Sequence, residues 1–90
     1  MRDIDELRQE IDSINTDMME LFRRRMEVSA EIAAYKREHH LPVRDPEREQ
    51  AILDRIGAQA GDELADYARE LFRTLFELSR TYQESCGEGA

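Results

Sequence analysis

The stretch IDELRQEIDSINTDMMELFRRRMEVSAEIAAYK, residues 4–36, decides the fold. Its apolar residues Ile4, Leu7, Ile11, Ile14, Met18, Leu21, Val28, Ile32 and Tyr35 keep to spacings of three and four, the beat of a coiled-coil seam. A helix over about Asp3 to Glu38, rising 1.5 Å per residue, is roughly 50 Å long, much longer than a compact chain of this size is wide. The remaining residues are too few to cover so long a stripe. The pattern therefore predicts dimerisation through helix 1. One position on the beat is not apolar: Arg25 stands between Leu21 and Val28. A guanidinium stays charged in a buried seam, and burying it unpaired is costly, so it calls for an anion from a side chain, a partner chain or a ligand.

Outside helix 1 the chain reads as two shorter helices. Pro42 breaks the first pattern between His39 and Arg44. Asp45-Pro46 opens helix 2, an N-cap acceptor followed by proline at the first helical position. Ile52, Leu53 and Ile56 form its apolar side, and it ends around Gly57 to Gly61. Asp62 is placed to cap helix 3, which runs to Gln83 or Glu84 with Leu64, Tyr67, Leu71, Leu75, Leu78 and Tyr82 on one stripe. A second line, Phe72, Phe76, Ser79 and Gln83, begins aromatic and ends polar, so an inward face changes from packing to hydrogen bonding. Ser85 to Ala90 is expected to be a disordered tail behind a helical domain at 1–84. The expected class is all-α, with three helices per chain.

Composition narrows the function. Ninety residues are one small domain. No run of 18 apolar residues occurs, so no membrane span is expected, and no signal peptide opens the chain, which points to the cytoplasm. A net charge of −8 argues against nucleic acid, though local clusters set local potentials and a small anion remains a possible ligand. Cys86 is alone, and His39-His40 are adjacent rather than one turn apart, so neither a disulfide nor a metal site is expected. The chain carries no Ser-His-Asp or Cys-His set and no phosphate-cradling glycine loop. A reaction that needs only a shaped, positively charged cavity is still allowed.

Arg25 and Lys36 are eleven residues apart, within about 20° of one helix face and roughly 16 Å along the axis. Long side chains let them converge over Val28, Ser29 and Ile32. Arg8 lies about 25 Å from Arg25 and roughly 100° round the helix, so only a partner chain brings it to the same small ligand. Each polar residue also has a plain structural reading. Arg25 can set register against a partner glutamate, Lys36 can sit at a helix C-terminus, and Ser79 and Gln83 can mark a fraying end. Asp45 caps a helix in either case, and Arg48 and Glu49 can form short-range pairs worth tenths of a kcal/mol.

Together these residues resemble a known family. LRQEID (Leu7 to Asp12), the spacing from the arginine run to Lys36, PVRDPERE (Pro42 to Glu49) and the pattern Leu71-Phe72, Ser79, Gln83 resemble the all-α chorismate mutases. The resemblance spans about Leu7 to Gln83, with only the turn between helices 2 and 3 looking shortened. It implies an intertwined homodimer of three-helix chains with shared active sites and no cofactor, converting chorismate, a dicarboxylate, to prephenate. It further implies that Arg25 and the partner's Arg8 bind carboxylates with help from Ser79. Lys36 and Gln83 would face the ether oxygen of the breaking bond, and Glu49 with the backbone near Asp45 the ring hydroxyl. Arg48 would support Glu49. Two alternatives stand beside it: a pericyclic lyase of the isochorismate-pyruvate type, and a non-catalytic helical dimerisation module.

Overall fold

The computed structural model describes residues 1–88 and consists of three helices: α1 (Ile4–Glu38), α2 (Pro46–Ala60) and α3 (Ala65–Glu88). Asp3 caps α1, its carboxylate accepting from the Glu6 amide at 2.9 Å, and Asp5 and Glu6 complement the positive end of the helix dipole. At the other end the chain leaves through a Schellman turn. Leu41 N–H donates to the Lys36 carbonyl at 2.8 Å and His40 N–H to that of Arg37 at 3.3 Å, with His40 at φ 55°.

Asp45 caps α2 by accepting from the Arg48 amide at 3.1 Å, with Pro46 entering the first turn. Gly57 lies inside α2 rather than ending it, buried under the Arg69 guanidinium; Gly61, at φ 84°, ends it. The expected start of α3, just after Asp62, is two residues early. Asp62 to Leu64 form a turn, closed by Leu64 N–H on the Gly61 carbonyl, and the first helical bond is Ala68 N–H to the Leu64 carbonyl. The helix continues past Glu84 through Glu88, so Ser85 to Glu88 are helical; residues 89–90, the rest of the expected tail, lie outside the described residues.

The three helices run up, down and up, with α3 as the common element. It packs on both α1 and α2, while α1 and α2 do not pack on each other. Arg25 meets Ser79 and Ser29 meets Gln83 at one offset of 54 residues, so α3 runs alongside α1 in the same direction. Small side chains at the crossing, Ser29, Ala33 and Ser79, are all buried and let the two axes approach closely. Leu53, Gly57 and Phe76 are the buried residues of the α2–α3 side.

This core is small for 90 residues. Every residue from 1 to 21 is exposed, and the heptad residues Ile4, Ile11, Ile14, Met18 and Leu21 face solvent along the first half of α1. Leu71, Leu78 and Tyr82 of the α3 stripe are exposed as well. The radius of gyration is 16.4 Å, against about 12 Å for a compact chain of this length. The accessible surface is 7467 Å², about 2000 Å² more than a folded monomer of this mass presents. No helix of the described residues is long and apolar enough to cross a membrane.

Candidate active site

Because α1 and α2 touch only through α3, their facing sides leave a cleft of about 780 Å³. That volume suits a small molecule. Val28, Ile32, Val43, Ile52, Phe72 and Phe76 supply its apolar surface. Its ionisable rim is one-sided: Arg24, Arg25, Lys36, Arg48, Arg55 and Arg80 against Asp45 and Glu49. A chain of net charge −8 thus concentrates an excess of four positive charges in one cleft.

α1 delivers three of these cations, Arg24, Arg25 and Lys36, the last two on one face. Arg25 Nη1 donates to Ser79 Oγ at 2.7 Å, and the same hydroxyl points its own hydrogen at Met26 Sδ, 3.9 Å away. No carboxylate pairs with Arg25 among the described residues, and burial pushes its pKa down. A charge placed so is held ready for an anion from outside. Lys36 sits at the last turn of α1, its Nζ donating to the Val43 carbonyl at 2.9 Å. The same residue's own carbonyl receives Leu41 N–H, so the 39–44 loop is tied to Lys36 at both its backbone and its side chain.

α3 contributes three polar groups one after another on its inner face. Ser79 holds Arg25; one residue on, Arg80 Nη1 donates to Glu49 Oε2 at 2.7 Å; one turn on, Gln83 Nε2 donates to the Ser29 hydroxyl at 2.9 Å and carbonyl at 3.2 Å. Side-chain hydroxyl, guanidinium and amide thus cross-link α3 to both walls of the cleft.

Seven of the eight residues singled out from the sequence, Arg25, Lys36, Asp45, Arg48, Glu49, Ser79 and Gln83, line this one cleft. Arg8 does not; it lies on the exposed first half of α1, as its distance along the helix requires. One expected partnership differs. Glu49 is paired by Arg80 and not by its neighbour Arg48, because residues adjacent in a helix point about 100° apart while α3 lies directly across from Glu49. Arg80 is a contributor that the sequence did not single out, and Ser29, expected beneath Arg25 and Lys36, is in addition the partner of Gln83. Arg80 follows Ser79 immediately and lies off the apolar stripe, which left it looking like a surface charge. Among the described residues no group of three or more His, Cys, Asp or Glu side chains converges as metal ligands would.

Comparison with known proteins identifies a family. The family model described as chorismate mutase type II matches residues 7–84. The chain is 32% identical over 89 residues to the T-protein of Haemophilus influenzae, covering 97% of this chain and 24% of that protein. It is 30% identical over 81 residues to the chorismate mutase of Methanocaldococcus jannaschii, covering 88% and 82%. It is also 32% identical over 60 residues to the 4-amino-4-deoxychorismate mutase of Streptomyces venezuelae, covering 67% and 58%. The chain therefore spans about a quarter of the T-protein but most of the archaeal relative. No solved structure matches at the level these relatives reach. With a family model covering all but the two ends, the chain belongs to the chorismate mutase type II family.

Proposed function

We propose that the chain is a cytoplasmic enzyme that converts chorismate to prephenate by a [3,3] rearrangement, working as an intertwined homodimer with shared sites. The observation that carries this reading is the cleft: four positive charges in excess, Arg25 among them with no carboxylate, over an apolar floor. A compact dicarboxylate with an apolar ring face is the complementary ligand.

The reaction is intramolecular, so the site supplies conformation and electrostatics. Arg25, assisted by Ser79, and Arg8 of the partner subunit take the two carboxylates. The pair folds the ether-linked side chain over the ring into a near-attack geometry. Negative charge grows on the ether oxygen as the C–O bond breaks, and donors fixed beforehand stabilise it without reorganising. Lys36 is such a donor, pinned at the Val43 carbonyl. Gln83 is the other; its amide, which donates to the Ser29 hydroxyl and carbonyl in the unliganded cleft, turns one of its two N–H groups to the ether oxygen when substrate binds. Glu49 and the backbone at Asp45 accept the ring hydroxyl, and Arg48 closes the anionic end of the cleft.

The dimer is supported by the exposed seam. About 2000 Å² of excess surface per chain is of the order buried by obligate dimers, and Ile4 to Leu21 have nothing within their own chain to cover them. A second copy crossing that seam also brings its Arg8 toward the open side of the cleft. The domain so defined spans 1–84. Incubating the purified chain with chorismate alone tests the activity: loss of chorismate absorbance with stoichiometric prephenate is expected. Unchanged chorismate would leave the reading without its substrate.

A further inference from the structure

Arg80–Glu49 is the one ion pair among the described residues that joins two helices; the others lie within α1 or α3, or tie Arg2 to the first turns of α1. Its two side chains are only 27% and 24% exposed, so solvent screens them less than the surface pairs. Both line the cleft. Glu49 sits in the first turn of α2, where its long side chain has several rotamers open to it, and Arg80 reaches from α3 to hold one of its two oxygens. The other oxygen is left to accept a hydrogen bond from a ligand.

The pairing also changes what that oxygen prefers. A free carboxylate in an apolar cleft attracts a cation strongly. A carboxylate already bonded to a guanidinium is close to neutral as a unit, yet still a good acceptor. The charge of Arg80 offsets that of Glu49, so a cation there gains none of the attraction an unpaired carboxylate would give it.

We propose that Arg80 is a positioning residue for Glu49, and that its charge makes the site prefer a neutral hydroxyl over a cationic amine at the ring position Glu49 contacts. The proposal rests on the function read above, since that reading places the ring substituent at Glu49. Arg80 touches no reacting atom and acts through its partner.

The test compares two substrates, chorismate and its analogue with an amine in place of the ring hydroxyl, on the full chain and on Arg80→Met, Arg80→Gln and Arg80→Lys. In Arg80→Met the kcat for chorismate falls about tenfold, the effect of one well-placed charged hydrogen bond, with a smaller change in KM. The preference for the amine, as a ratio of kcat/KM values, rises about tenfold as Glu49 loses the charge that neutralises it. Arg80→Lys restores most of both. Arg80→Gln keeps length and polarity but not charge, and carries the same expectation if Arg80→Met loses helix content. General damage to the fold lowers both substrates together and leaves the ratio alone. An unchanged ratio in Arg80→Met and Arg80→Gln, with chorismate still turned over by the unaltered chain, overturns the role of Arg80 and leaves the function standing. No turnover of chorismate by the unaltered chain overturns both.

Discussion

Lys36 is where the electrostatic account makes its largest quantitative claim, and Lys36→Met puts a number on it. Methionine keeps the length and the helix propensity of lysine and removes only the charged donor. In the structure the ammonium makes one hydrogen bond, to the neutral carbonyl of Val43, and no ion pair, so its charge is not spent inside the protein. A unit charge about 3 Å from a developing oxyanion, at an effective dielectric of about 20, is worth roughly 5 kcal/mol. Water in an open cleft and the second donor Gln83 recover part of that, leaving about 3–4 kcal/mol, or 100- to 1000-fold in kcat. The bond to Val43 is worth only about 1 kcal/mol to the fold, so the melting temperature falls by about 4–8 °C. Steady-state turnover of chorismate, read beside a thermal melt, separates the two effects. A kcat within tenfold of the unaltered enzyme would refute the reasoning, as would a loss of activity that merely tracks a loss of helix.

Other residues give independent checks. Arg25→Leu should raise stability by less than about 1 kcal/mol, the half-buried guanidinium being partly screened by solvent and bonded to Ser79, while lowering kcat/KM at least 100-fold, because a charge with no carboxylate partner costs stability and serves only the ligand. Burial lowers the pKa of Arg25, so its cost is present at every pH below the guanidinium's own range. The gain in Arg25→Leu is accordingly flat between about pH 5 and 9 in denaturant melts, and a variant that is both less stable and still active would be inconsistent with it. His40→Gly should stabilise by about 1 kcal/mol, since His40 holds the left-handed position of the Schellman turn at a steric cost glycine avoids. Chorismate turnover should change little, and a destabilised His40→Gly would show that the imidazole contributes more than it strains.

Much of this architecture is written locally. The heptad beat of Ile4 to Tyr35 and the Asp45-Pro46 start of α2 depend on residues within a turn of one another, and the observed α1 and α2 follow them within a residue or so. The beginning of α3 was less readable. Asp62 carries an N-cap signature, but the tight turn on Gly61 delays the helix to Ala65. Its end was obscured by Gly87, a weak helix former that α3 nevertheless includes.

The site divides the same way. Arg25, Lys36 and Glu49 stand out because each breaks or flanks a periodic pattern, whereas the partner of Glu49 lies 31 residues away on another helix. No local rule distinguishes Arg80 from Arg73, an exposed arginine of α3. Ser29 is similar: between Val28 and Ala30 it reads as floor beneath Arg25 and Lys36 until Gln83 is seen to donate to it.

The central claim is that dimer and active site are one structure, with Arg25 serving its own cleft and Arg8 the cleft of the partner subunit. Two inactive variants test it, Arg8→Ala and Arg25→Ala, unfolded together in equal amounts and refolded. Random pairing makes half the dimers mixed, and a two-fold dimer then holds one intact site of its two, so activity should return to about a quarter of the unaltered enzyme. Mixtures no more active than the separate variants would mean that Arg8 acts within its own chain or not at all.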